Sequence, residues 1–343
     1  MIALEAVTAR AGAFTLRDVN VSAAAATWTV VLGPAGSGKT TLLETVAGIR
    51  RASSGRIRLR DADVTNAAPE TRGLGIVYQH AYLFPHLTVR QNIAYGIRGA
   101  APVDALAEQF GARALLERDV SSLSGGERQV VALLRAIAPS PDILLLDEPF
   151  SALDSARRAR VRAELRGWCR ERRTTVVHVT HDLIEAGSLG DLGVVLEGGR
   201  VQQVASMATL FREPASSSVA EFMGVENVLT GTARAGASGL LRFASGGVEL
   251  DAVGTHAGGA AHAVIRAEEI MLARAAPKDA SVRNGLQGVV IDLMHEGALV
   301  RVTVAIGAAT LVAVITRASA DEMHLAVGET ITASIKATAV HIC

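Results

Sequence analysis

From the N-terminus to about Met223, short apolar runs alternate with segments of helical period. TWTVVLG (27–33) predicts a strand, 39–47 a helix and DILLLDEP (142–149) a strand buried on both faces. A long charged helix is predicted over 155–172, a second buried strand at TTVVHVT (174–180), and a strand and turn at DLGVVLEGG (191–199). Strands of this length alternating with helices predict a mainly parallel sheet covered by helices, an α/β architecture.

The pattern changes after FREPASSSVAEFMG (211–224), a passage rich in proline and serine. Beyond it, brief alternating segments are punctuated by glycine: LQGVVIDL (286–293), ALVRVTVAIG (298–307) and ATLVAVIT (309–316). These lengths predict a smaller all-β barrel or sandwich, with room for two similar β modules. The boundary is expected near Val225, giving domains 1–225 and 226–343.

Composition narrows the class. The chain has 343 residues, beyond the size at which single cores stop growing, and half of them are apolar. Its formal net charge is zero, which argues against a nucleic-acid partner, since such proteins carry a basic excess. Cys169 and Cys343 are the only cysteines, too few and too far apart to suggest a disulfide framework or zinc site. No signal peptide is recognisable at the start, and the longest apolar runs fall far short of the ~20 residues that span a bilayer. Work at a membrane would therefore need another chain to cross it. Only three lysines occur, Lys39, Lys278 and Lys336. In so arginine-biased a chain, a lysine can mark a place where a compact point charge is required.

GPAGSGKT, residues Gly33, Pro34, Ala35, Gly36, Ser37, Gly38, Lys39 and Thr40, fits a phosphate-binding loop between a predicted strand and a predicted helix, which continues with Thr41. Its backbone N–H groups can turn inward around phosphate oxygens at a helix N-terminus. Lys39 is suited to the β- and γ-phosphates of ATP and the Thr40 hydroxyl to Mg²⁺. ILLLDEP delivers Asp147 to a strand tip, where it can join the Mg²⁺ shell, with Glu148 beside it to polarise an attacking water.

LSGGERQ (123–129) resembles the signature of the ABC ATPases. The remaining family motifs follow in order: VYQ places Gln79 after a strand, SALD places Asp154 after the acidic pair, and VTHD places His181 after the next strand. The resemblance covers the whole N-terminal part and implies an ABC ATPase domain with a helical subdomain. It further implies a head-to-tail homodimer, with ATP between one chain's phosphate loop and the partner's signature. Ser124, Gly125 and Gly126, opening a predicted helix 126–138, suit such a second anion nest. By the same resemblance, Gln79 senses the γ-phosphate and takes part in holding Mg²⁺, His181 holds the γ-phosphate and water in line, and Asp154 belongs to the nucleotide site. Two positions depart from the pattern. RAGAF offers only Phe14 for stacking on adenine, and Val130 stands where arginine is frequent.

HAYLFPHLTVRQNIAYGIR (80–98) resembles the region of importer ATPases that contacts the membrane subunit. Its aromatic residues, Tyr82, Phe84 and Tyr95, together with Tyr78 have two readings, the subdomain's own core or a docking groove. The implied partners are two integral membrane permease subunits and, through them, an extracytoplasmic substrate-binding protein. The implied location is the cytoplasmic face of the inner membrane.

The last 120 or so residues resemble the TOBE-type, OB-like regulatory extensions of importers. SVRNGLQGVV (281–290) and SIKATAVHI (334–342) are similar to small molybdate- and tungstate-binding modules, and FMGVENVLTG (222–231) to the linker of molybdate/tungstate importer ATPases. The resemblance implies a regulatory oxyanion site at Ser281, Arg283, Asn284, Lys336 and Thr338, helped by backbone N–H groups near Gly297 and Ala337, and feedback inhibition by cytoplasmic oxyanion. Importers of sulfate, ferric iron or sugars are the alternative, and a non-transport ABC ATPase a more distant one.

Overall fold

The computed structural model describes the chain except residues 98, 100–101, 256–257 and 276–279. It divides into two units, Met1–Ala208 and Thr209–Cys343.

In the first unit, strands β1 (Ile2–Ala11) and β2 (Phe14–Ala23) precede β3 (Trp28–Leu32) and helix α1 (Lys39–Ala47), followed by β4 (Ala52–Leu59), β5 (Ala62–Asp63) and β6 (Gly75–Val77). Helices α2 (Val89–Ala94), α3 (Val103–Gln109) and α4 (Gly125–Ile137) lead to β7 (Ile143–Asp147), α5 (Ser155–Glu171), β8 (Thr175–Val179), α6 (Leu183–Leu189), β9 (Leu192–Glu197) and β10 (Arg200–Ser206). β1, β2, β4 and β5 form an antiparallel sheet. The other six strands form a second sheet in the order β10-β9-β3-β8-β7-β6, parallel except for β10. Every residue of β3, β7 and β8 is buried, as their unbroken apolar runs require.

Register gives the sheet its function. Val31 lies opposite Val179, which lies opposite Asp147, so the tips of β3, β8 and β7 end level. The loops that leave these tips open on the side where parallel sheets hold ligands.

Helix α7 (Met207–Arg212) carries the chain into the second unit, which continues with α8 (Ser217–Phe222) and β11 (Asn227–Ala235), β12 (Leu241–Ser245), β13 (Val248–Ala252), β14 (Gly259–Ile265) and β15 (Met271–Ala273). Then come β16 (Asn284–Glu296), β17 (Leu299–Ile306), β18 (Ala309–Thr316), α9 (Arg317–Glu322), β19 (Thr330–Ile335) and β20 (His341–Ile342). The division falls earlier than Val225 because 209–225 packs with the C-terminal strands: Ala220 and Val225 share a small core with Val264 of β14.

This unit is a tandem repeat. One sheet has the order β13-β12-β11-β14-β20, the other β18-β17-β16-β19-β15. Each repeat builds four strands and lends its last short one to the other, so β20 pairs with β14 and β15 with β19. Asn227 and Asn284 open β11 and β16. Asn227 exchanges bonds with the Val312 backbone of β18 (2.6 and 2.9 Å), and Asn284 with the Asp251 backbone of β13 (2.6 and 2.9 Å). Gly231 and Gly288 are forced by close approach: a Cβ there would lie 2.2 Å from Ala244 O and 2.5 Å from Ala305 O. One apolar core runs through both halves.

Candidate nucleotide site and oxyanion segments

The loop after β3 is built around glycine. Gly33 has φ +149°, and a Cβ on it would lie 2.0 Å from Leu196 O, so no other residue fits. The Lys39 ammonium donates to Gly33 O (2.8 Å) and Pro34 O (2.9 Å), which folds it back over the loop. Burial pulls its pKa down, while Glu148 and Asp147 act to raise it. Ser37 is buried, and its hydroxyl has no partner among the described residues.

The Thr40 hydroxyl, in the first turn of α1, donates to Asp147 Oδ2 at the tip of β7 (2.9 Å). Burial pushes the Asp147 carboxyl above its ordinary pKa, the bond from Thr40 opposes this, and the nearby Glu148 charge adds to it. A hydroxyl and a reluctantly charged carboxylate at the mouth of a phosphate loop are a hard-oxygen pair of the kind Mg²⁺ takes. The donor set fits that ion.

Glu148 adopts φ +48°, uncommon for a side-chain-bearing residue. Its N–H is held by Val179 O (2.9 Å), and its Oε1 accepts from the His181 N–H (3.1 Å) and meets His181 Nδ1 at 2.6 Å. The Glu148 side chain is 12% exposed and that of His181 73%. The tips of β7 and β8 thus bring Glu148 and His181 together. Behind them lies a network that the sequence did not reveal. Thr180 Oγ1 donates to the buried Glu185 (3.0 Å), Asp182 caps α6, and His178 Nε2 approaches Glu185 at 3.7 Å.

Gln79 is exposed just past β6. Its neighbour Tyr78 accepts a bond through its carbonyl from Gln129 Nε2 (3.2 Å), which ties LSGGERQ to this segment. Ser124 N-caps α4 in a capping box with Glu127: its hydroxyl accepts from the Glu127 N–H at 3.2 Å, and its own N–H donates to the Glu127 carboxylate at 2.7 Å. The helix therefore starts at Gly125, one residue before the expected 126. A Cβ on Gly125 would meet nothing within 4 Å. Val130, where arginine is frequent, is buried in the core. Asp154 caps α5 by accepting from Arg157 N–H (2.9 Å). Phe14 leans on Gly38 and lines a cleft of about 410 Å³ with Gly36, Lys39, Thr40 and Thr41.

In the helical segment, Phe84 stacks on Tyr95 (4.3 Å between centroids) and carries Arg135 on its face (5.0 Å). Tyr82 and Tyr95 are about two-thirds exposed, so the cluster is half core and half surface.

In the second unit, β16 and β19 pair from Asn284↔Ile335, which sets Arg283 and Lys336 side by side just beyond. Lys336 and Thr338 line a cleft of about 550 Å³. Asn284 is buried and its amide is committed to Asp251. Gly297 lies past the other end of the 13-residue β16, so one chain does not bring it to Lys336. Ser281 is exposed, next to Arg283, and Ala337 is buried beside Lys336. Lys278 lies outside the described residues.

Residues 16–151 match the ABC transporter family model, and residues 280–342 match that of the TOBE domain. The chain belongs to the ABC transporter family and is an ABC-type ATPase with a C-terminal TOBE domain. It is 37% identical to the molybdate/tungstate import ATP-binding protein WtpC of Pyrococcus horikoshii over 350 residues, covering 100% of this chain and 99% of the relative. It is 44% identical over 243 residues to the sulfate/thiosulfate import ATP-binding protein CysA 2 of Chromobacterium violaceum, covering 68% of this chain and 66% of the relative. The first unit resembles the dimeric ATP-binding cassette MJ0796 bound to ADP and Pi, with TM-score 0.56 and 26% identity over 60% of this chain and 99% of that one.

Proposed function

We propose that this chain is the motor subunit of an importer for molybdate or tungstate, and that cytoplasmic oxyanion bound to its C-terminal unit inhibits it. The observation that carries the cargo is the full-length similarity to molybdate/tungstate import proteins, which extends through the second unit. The 44% identity to a sulfate/thiosulfate import protein favours sulfate as the second reading. Among the described residues no helix is long and apolar enough to cross a membrane, so two permease subunits form the path, with this chain beneath them at the cytoplasmic face. The exposed Tyr82 and Tyr95 form part of the permease contact, and an extracytoplasmic binding protein delivers cargo to the other side.

In the ATPase cycle, the loop amides of 33–40 and Lys39 bind the β- and γ-phosphates, and Phe14 stacks on adenine. Thr40 and Asp147, with Gln79 beside them, would hold Mg²⁺, which when bound would supply positive charge against the phosphates. Glu148 takes a proton from the attacking water, and His181, bonded to that same carboxylate, keeps the water and the γ-phosphate in line. Ser124 and the α4 N-terminus of a second copy close over the γ-phosphate, with Asp154 near the seam.

Inward release raises the local oxyanion concentration. The ion then binds at Ser281, Arg283, Lys336 and Thr338, with the Ala337 N–H, while Asn284 serves as the clamp that holds their frame. Such a ligand inhibits to the extent that it prefers the open dimer. Hydrolysis by the assembled transporter is expected to fall with micromolar molybdate (roughly the affinity of a few charge-assisted bonds). Lys336→Ala should remove this inhibition and leave basal hydrolysis intact, and equal inhibition in the variant would count against the feedback site.

A further inference from the structure

The two repeats of the C-terminal unit share a backbone and differ in charge. Arg266 and Lys336 occupy matching positions, each capping a short 3₁₀ turn after a strand, at φ/ψ −76°/142° and −70°/144°. From the matched pair Asn227 and Asn284, Gly224 corresponds to Ser281 and Glu226 to Arg283. From the matched pair Arg266 and Lys336, Glu268 corresponds to Thr338 and Glu269 to Ala339. At each of these four flanking positions the second repeat offers an anion a donor or a neutral group, and the first offers a carboxylate or no side chain.

Two of the first repeat's carboxylates at these positions, Glu226 and Glu268, are engaged in ion pairs. Glu226 pairs with Arg301 (2.7 Å), and Arg266 NH1 with Glu268 (3.1 Å). The Arg266 Nε donates to Phe211 O (3.0 Å) and the Phe211 ring lies 5.3 Å from the guanidinium carbon, while NH2 is buried with no hydrogen-bond partner among the described residues. Arg266 is a pin for the C-terminal end of α7. By contrast, neither Arg283 nor Lys336 forms an ion pair among the described residues, and both are exposed. Arg266 and Lys336 line the same cleft, Arg266 paired with Glu268 and Lys336 without an ion pair among the described residues, and Glu213 and Glu269 lie on the wall of that cleft too.

We propose that each chain binds a single tetrahedral oxyanion in this unit, at the Lys336, Thr338 and Arg283 end of the second repeat, and that carboxylates close the matching position of the first. This rests on the proposed oxyanion role of Lys336. A dianion placed at the first repeat would face Glu226 and Glu268 at close range, where like charges repel. At the second repeat it meets two cations and a hydroxyl, which can supply charge-assisted bonds.

Titration calorimetry of the full-length chain with sodium molybdate, and in parallel with tungstate and sulfate, reads the stoichiometry. One ion per chain is expected. Lys336→Ala should weaken binding about tenfold or more. Arg266→Gln should keep one ion per chain, with affinity changed by no more than about threefold. Two ions per chain overturns the proposal, as does loss of binding in an Arg266→Gln chain that retains the parent thermal midpoint. If Arg266→Gln fails to fold, the stoichiometry of the unmodified chain decides alone. No binding of any of the three ions removes the oxyanion reading itself, an outcome distinct from a count of two.

Discussion

Glu148 and Asp147 are adjacent in sequence yet sit in different environments. Asp147 is buried, and its raised pKa means that the folded state disfavours its charge. A carboxyl raised by burial contributes most stability when protonated, and that contribution is lost as pH rises through its folded pKa. Asp147→Asn removes the buried charge, so it is expected to raise the thermal midpoint of the nucleotide-free chain at neutral pH while abolishing Mg²⁺-dependent hydrolysis. A lowered midpoint would show that the Thr40 bond outweighs the burial cost. Glu148 instead keeps its acceptor oxygen on His181, in a strained backbone conformation. Glu148→Gln should cut turnover about a hundredfold or more with ATP still bound, as read by filter retention of labelled nucleotide. These residues were legible in the sequence because a phosphate loop, a buried strand and an acidic tip follow one another within a fixed topology. The Thr180 and Glu185 network was not legible, since nothing in a Thr-His-Asp run tells which side chain turns inward.

Among the elements, β8 carries His178 fully into the core, against Trp28 and Phe150. Burial lowers its pKa to about 3, so it is neutral when folded and gains a proton on unfolding near its ordinary value of 6.5. The stability it contributes is present above that value and is lost as pH falls from 6.5 toward 3. Replacing it in His178→Leu should flatten this part of the acid-unfolding profile, measured by denaturant titration at a series of pH values. In the second unit, Asn227 and Asn284 each hold a backbone segment from the opposite repeat. Asn227→Ala or Asn284→Ala should lower the unit's stability by about 1–3 kcal/mol, the cost of orphaned backbone groups. In the first unit β3, β7, β8, α1, α4 and α5 were readable to within a residue or two, because their runs have the length of the elements, whereas the antiparallel strands β1, β2, β4 and β5 were not delimited. The borrowed strands β15 and β20 were not, since two or three residues carry no period and their partners lie in the other repeat.

For the whole molecule, the proposed ATPase cycle makes the site composite, with one chain's phosphate loop facing the other's signature. Gly125→Asp places a charge where a Cβ meets nothing, so the chain should fold normally yet repel the γ-phosphate of its partner. Lys39→Ala disables the other half. Each variant alone should be inactive, and a mixture of the two should regain activity, because a mixed dimer contains one intact pairing of loop and signature. A mixture as inactive as its components would mean that each chain works alone. Charge balance and the ordered motifs made the ATPase legible in the sequence. The cargo is proposed only through resemblance, because the chemistry at ATP is indifferent to what is carried. The most direct measurement is therefore ATP-driven uptake into vesicles that hold this chain with its permease subunits and binding protein. Molybdate or tungstate should accumulate in preference to sulfate, and Glu148→Gln should abolish uptake. Accumulation of sulfate that neither molybdate nor tungstate competes away would contradict the assignment.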